Sequence, residues 1–146
     1  MTTNADTGSC PSATHCSLRG ALTAAAAASN PQRIEFALSA CPQTILVSSA
    51  LPAIVDELTI DGYSQPGASA NSLEFGSDAR LCVIVKGNYA SCRGLLANNI
   101  ASRFTAKGLA FENSANINTS EMTECFVEDT IFAHDFDTPS SCACAP

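Results

Sequence analysis

The strongest constraint in this chain is the recurrence of short β-rich bursts at nearly even spacing. They are Ile34–Leu38, Thr44–Ser48, Leu58–Asp61, Leu81–Val85, Thr105–Phe111 and Cys125–Phe132, parted by Gly, Asn, Asp, Ser and Pro. Each has the length of a strand and not of a helix. Bursts begin near positions 58, 82, 105 and 125, so the separations are 24, 23 and 20 residues. Gly108-Leu109-Ala110-Phe111-Glu112-Asn113-Ser114 is echoed by Asp129-Thr130-Ile131-Phe132-Ala133-His134-Asp135 at an offset of 21. A period of roughly 20 to 25 residues marks a solenoid whose neighbouring coils pair strand on strand. Leucine-rich repeats share that period, but their L-x-x-L-x-L frame is missing. A parallel β-helix of about four coils fits better, because small Ala, Ser and Asn suit tight turns between stacked strands. A β-sandwich with regular turns is the alternative. Ile45 and Val47 share one face, as do Cys82 and Ile84. Leu81–Val85 is apolar on both faces, which predicts burial or a cysteine-bonded exterior.

Composition agrees with a narrow core in one domain. The 146 residues are 46% apolar but only 6% aromatic, with no Trp, so Ala, Leu, Ile, Val and Cys must fill the interior. Charged residues are 14% of the chain, and the net charge is −7. So acidic a chain is repelled by phosphate backbones, which excludes nucleic acid as a partner. It also lacks the basic amphipathic face that anionic membranes attract, and Ala21–Ala28 is too short to span a bilayer. Met1–Ser9 has neither the charged nor the apolar region of a signal peptide. A secreted protein would then be represented by a mature or excised piece with an added Met.

Eight cysteines, at Cys10, Cys16, Cys41, Cys82, Cys92, Cys125, Cys142 and Cys144, are scattered along the whole chain. That distribution reads as a disulfide framework from an oxidising compartment, with on the order of a hundred pairings open; free thiols of a cytosolic protein are the alternative. Structural zinc needs closely spaced pairs, and only Cys142-Ala143-Cys144 comes near, with no second pair or His beside it. Ser17 is the expected N-cap of one helix over 17–30, because its hydroxyl can accept from an orphan amide of the first turn. Alanines sustain the helix until Asn30-Pro31 ends it, and Leu18 and Leu22 form its apolar stripe. The chain thus divides into an N-terminal tail or loop at 1–15, a β-helix with its helix at 16–135, and a Cys-containing tail at 136–146.

Particular residues then carry a resemblance. Cys16-Ser17-Leu18-Arg19-Gly20-Ala21-Leu22 resembles the C-S-L-R-E-A-I signature that opens many bacterial surface and secreted β-helix proteins. In order follow Ile34-Glu35-Phe36, Thr44-Ile45-Leu46, Leu51-Pro52-Ala53-Ile54 and Leu58-Thr59-Ile60-Asp61-Gly62-Tyr63-Ser64-Gln65-Pro66-Gly67. Ser102–Ser114 resembles the family's coil repeat. The resemblance covers roughly residues 16 to 114 and implies a right-handed parallel β-helix of the pectin-lyase-like type, its helix plugging the N-terminal end. Gly20 departs from the family's Glu at N3, which would complete a capping box. Glycine costs on the order of 1 kcal/mol in a helix, so Gly20→Glu is expected to raise stability. No capping helix follows the last coil. A longer protein is the expected reason; a disulfide-tied tail or self-association through that edge are the others.

Chemistry is sparse. The N-T-D, D-D, G-H-G and R-I-K blocks of pectin hydrolases are absent, as is any G-x-S-x-G. The closest acidic cluster is Glu128, Asp129, Asp135 and Asp137, with His134 nearby. Asp135 and Asp137 can share a strand face and hold calcium, but two side chains fall short of its six to eight oxygens, so a solvated face is the simpler reading. His15 beside Cys16 would serve as a nucleophilic pair only if that thiol were free. Asn118-Thr119-Ser120 fits a glycosylation sequon. Asn98, Asn99, Asn113 and Asn116 suit turns. Together these predict a non-catalytic β-helix module of an extracellular or surface-displayed bacterial protein, adhesive or structural, meeting a glycan or a host protein. The alternative is a piece of a polysaccharide lyase or glycoside hydrolase that uses the acidic cluster.

Overall fold

A computed structural model describes residues 1–12, 15–28, 31–54, 57–87 and 104–112 in full, and the backbone of 95–96, 117–118, 125–128 and 131–132. The chain is all-β apart from one helix, α1 (Leu18–Ala26), among these residues. Its strands are β1 (Gln32–Glu35), β2 (Gln43–Val47), β3 (Leu58–Asp61), β4 (Val83–Gly87), β5 (Leu95–Leu96), β6 (Phe104–Lys107), β7 (Leu109–Glu112), β8 (Ile117–Asn118), β9 (Cys125–Glu128) and β10 (Ile131–Phe132). One sheet runs β1-β3-β6-β9, a second runs β2-β4-β7-β10, and β5 pairs with β8. Every pairing between these strands is parallel. Apart from β5 and β8, consecutive strands therefore alternate between the two larger sheets. No described helix is long and apolar enough to cross a membrane.

The single period read from the sequence merges those two sheets. Leu58 lies beside Phe104 and not beside the burst at 82, while Val83 lies beside Leu109. Gln32 to Leu58 is 26 residues, Leu58 to Phe104 is 46, and Phe104 to Cys125 is 21. Unequal connections hide the repeat, because backbone pairing fixes which strands meet and not how much chain lies between them. The 21-residue echo is a true register, placing Ala110 beside Ile131 and Phe111 beside Phe132. Thr105–Phe111 splits into β6 and β7 at Gly108, whose φ of +67° glycine adopts without cost.

Alternation along the strands builds the core. Ile34, Leu58, Ile60, Phe104 and Ala106 from the first sheet meet Ile45, Val47, Val83, Val85, Leu109 and Phe111 from the second, all buried. Val83 and Val85 are the inward pair of β4, so Cys82 lies on the opposite parity and is bonded to Cys41. Leu18 and Leu22 of α1, with Phe36, Leu38, Leu51 and Ile54, complete the same cluster. Helical bonding ends at Ala26, earlier than Asn30, since the amides of Ala27 and Ala28 bond three residues back and the alanines there dock no apolar stripe.

The N-terminal segment ties down the exposed side of β1 and β2. The Met1 nitrogen donates to the Glu35 carbonyl at 2.6 Å, and the Ala37 amide donates to the Met1 carbonyl at 2.8 Å. Asp6 takes both Nε and Nη2 of Arg19 (2.8 and 3.0 Å) and the amide and hydroxyl of Ser48 (2.9 and 2.8 Å). Burial pushes the Asp6 carboxyl up, but the bonds from Arg19 and Ser48 outweigh it and hold the group below its ordinary range.

Ser17 caps α1 as expected, its Oγ accepting from the Gly20 amide at 3.0 Å and donating to the Thr7 carbonyl. The expectation that Gly20→Glu stabilises is reversed. A Cβ at position 20 would lie 2.4 Å from the Ser9 carbonyl oxygen and 2.9 Å from the Cys10 nitrogen. The Cys10–Cys16 disulfide holds that backbone against the helix. Glycine stands there because nothing larger fits.

Candidate functional site

The T-I-D-G-Y-S-Q-P-G segment supplies the most concentrated polar structure. Asp61 closes β3 and accepts from the Tyr63 amide at 3.1 Å, capping a 3-10 turn over Gly62–Ser64. Ser64 Oγ accepts from the Phe36 amide (2.7 Å) and donates to the Asp61 carbonyl (2.5 Å). Gln65, 2% exposed, accepts from the Leu38 amide (2.7 Å) and donates to the Leu38 and Ala40 carbonyls (both 3.1 Å). Its side-chain amide thus replaces a missing strand neighbour for a buried stretch of backbone.

Across the first sheet, Glu35, Asp61, Lys107 and Glu128 occupy one register position. The Asp61 carboxylate lies 2.5 Å from Arg33 Nη2 and 3.3 Å from Lys107 Nζ, and Arg33 Nε also reaches Glu35 at 3.0 Å. The Asp61 carboxylate, bracketed by two cations and a backbone amide, forms a structural clamp between β1, β3 and β6. Among the described residues it is not paired with a second carboxylate across an open cleft, as glycoside hydrolysis requires. Glu128, from the expected acidic cluster, is thereby placed on β9 beside Lys107. Asp129, Asp135, Asp137 and His134 lie outside the described residues. Among the described residues, no three His, Cys, Asp or Glu side chains converge as metal ligands.

Of the eight cysteines, Cys10 pairs with Cys16 and Cys41 with Cys82. This fits an oxidising compartment. Cys16, being bonded, offers no thiolate to His15, whose own amide donates to the Ser12 carbonyl. Cys125 opens β9, and Cys92, Cys142 and Cys144 lie outside the described residues.

The feature least visible in the sequence is the link from β3 to β4. The same corner between β6 and β7 is turned by Gly108 alone, and Gly62 stacks directly on it: a Cβ on Gly62 would lie 2.0 Å from the Gly108 oxygen. The chain beyond the 3-10 turn is therefore additional to what the corner needs. It forms a loop whose foot is closed by reciprocal bonds between Ser69 and Arg80 (3.1 and 2.8 Å), with the Cys41–Cys82 disulfide just beyond. Asn71 organises the interior. Its Nδ2 donates to the Leu73 and Gly76 carbonyls (3.1 and 3.3 Å), and its Oδ1 accepts from the Leu73 and Asp78 amides (3.2 and 3.0 Å). Asp78 accepts from the Ser72 hydroxyl (2.6 Å) and amide (2.7 Å), which hold its carboxyl below the ordinary range. Gly76 turns the chain with φ +82°, leaving Leu73 49% and Phe75 85% exposed at the tip. The available sequence signals were the long gap after Asp61 and two large apolar residues isolated among Ser, Asn, Gly and Asp.

No family model, curated protein or solved structure matches the chain.

Proposed function

We propose that this chain is a non-catalytic parallel β-helix module, of the kind its C-S-L-R-type segment resembles, from a secreted or surface-displayed bacterial protein. The module acts as a scaffold that presents a recognition surface to a glycan or a host protein. The observation that carries this reading is the superposition of successive turns: strands pair in parallel in two sheets, and the Gly62 corner stacks on Gly108. Asp61, Ser64 and Gln65 of the T-I-D-G-Y-S-Q segment support it, since each bonds residues of a neighbouring turn. Disulfides suit a protein working outside the reducing cytosol.

The test is a turnover screen of the whole chain on acidic and neutral polysaccharides, with and without calcium. No turnover is expected under either condition. Clear activity that Asp135→Ala abolishes would replace this reading with a polysaccharide lyase or glycoside hydrolase.

A further inference from the structure

We infer that the loop from Ser69 to Arg80 is a docking loop for a protein partner whose surface offers an apolar pocket bordered by basic side chains. The inference rests on the recognition role proposed above and names the partner's chemistry. Three observations carry it. The loop is surplus to the fold, because Gly108 alone turns the equivalent corner. In repeat architectures such insertions gather on the binding face. The loop is also built, since Asn71, Ser72 and Asp78 fix its interior and the Ser69–Arg80 bonds close its foot. A preorganised loop loses little entropy on binding. Finally, Phe75 is 85% exposed and Leu73 49%, on a rigid support that nothing in the core requires. An aromatic anchor of this kind is the usual centre of a protein interface.

Charge and hydrogen-bonding capacity select the occupant. Between the two apolar side chains stands exposed Glu74; the loop's other charges are Asp78, bonded to Ser72, and Arg80 at its foot, away from the tip. A basic rim complements that tip, whereas a second copy carrying the same net −7 and an anionic lipid surface both oppose it. A sugar needs hydrogen-bonding groups turned toward it. The Asn71, Ser72, Ser77 and Asp78 side chains are instead bonded within the loop.

The test selects a library of random cyclic peptides, displayed on phage, against the immobilised whole chain. Enriched peptides are expected to combine aromatic or aliphatic residues with Lys or Arg. Their affinity should fall at least about tenfold with Phe75→Ala, which removes an anchor worth more than about 1.4 kcal/mol. It should fall several-fold with Glu74→Gln or on raising salt, and stay unchanged with Leu46→Ala, a control at an exposed apolar residue on β2. The thermal midpoint of Phe75→Ala should equal that of the parent, as its exposure implies. Absence of enrichment, or peptides that bind Phe75→Ala equally well, overturns the inference. So does a Phe75-dependent association of copies, or Phe75-dependent binding to phosphatidylcholine vesicles or to a glycan array. Polysaccharide turnover would remove the non-catalytic reading yet leave this one standing, because the selection reads only loop-dependent peptide capture.

Discussion

At Gly20 two local rules disagree with a distant one. Helix propensity and the capping box both favour Glu, yet the Ser9 carbonyl occupies the space a side chain needs. Backbone is the obstacle, so it cannot swing aside as a flexible side chain would. Gly20→Ala should therefore cost roughly 1–3 kcal/mol, the usual range for overpacking, and Gly20→Glu at least as much. Urea denaturation of both variants checks the sign; a higher midpoint for either would restore the simple capping argument. Asp6 makes a second residue-scale prediction. Its folded pKa is lowered, so its contribution to stability is present above its ordinary value of 3.8 and disappears as pH falls through the folded value. Asp6→Asn should cost about 1–3 kcal/mol at neutral pH, since Arg19 and Ser48 lose a charged acceptor. The gap between parent and variant midpoints should close below roughly pH 4. Ser17 was legible in the sequence because a cap bonds its own first turn. Gly20 was not, because the group that fills its space, the Ser9 carbonyl, lies eleven residues back in the chain and is held there by the Cys10–Cys16 disulfide.

Elements were easier to find than to assign. Every burst contains strand, and Thr105–Phe111 and Cys125–Phe132 each contain residues of two, because alternation and β-branching act over a few residues. Which bursts share a sheet was hidden: β3 and β4 look like successive repeats but belong to different sheets. The element that holds the corner is Gln65. Gln65→Ala would leave the buried Leu38 amide and carbonyl without their partner, at about 1–3 kcal/mol for each group. Gln65→Glu should not rescue it, because a carboxylate cannot donate to the Leu38 and Ala40 carbonyls. Thermal unfolding of the two variants decides whether the amide or merely its volume matters.

For the whole molecule, connection length bears directly on stability. Cys41–Cys82 spans 41 residues and encloses β2, β3 and most of the β3–β4 loop, whereas Cys10–Cys16 spans six. Restricting the unfolded chain makes the first worth about 4 kcal/mol and the second about 2. The double change Cys41→Ser with Cys82→Ser should therefore lower the urea midpoint more than Cys10→Ser with Cys16→Ser. The opposite order would mean that native contacts of the N-terminal segment outweigh chain entropy. Strand character, the helix and its Ser17 cap, the cysteine-rich acidic composition and the 21-residue echo follow from local patterns, which need only neighbours in sequence. The two-sheet arrangement, the Asp61 clamp, the exclusion of a side chain at Gly20 and the projection of Phe75 arise only when distant backbones meet. Hydrogen bonding and excluded volume act through space, and unequal connections erase their trace along the chain.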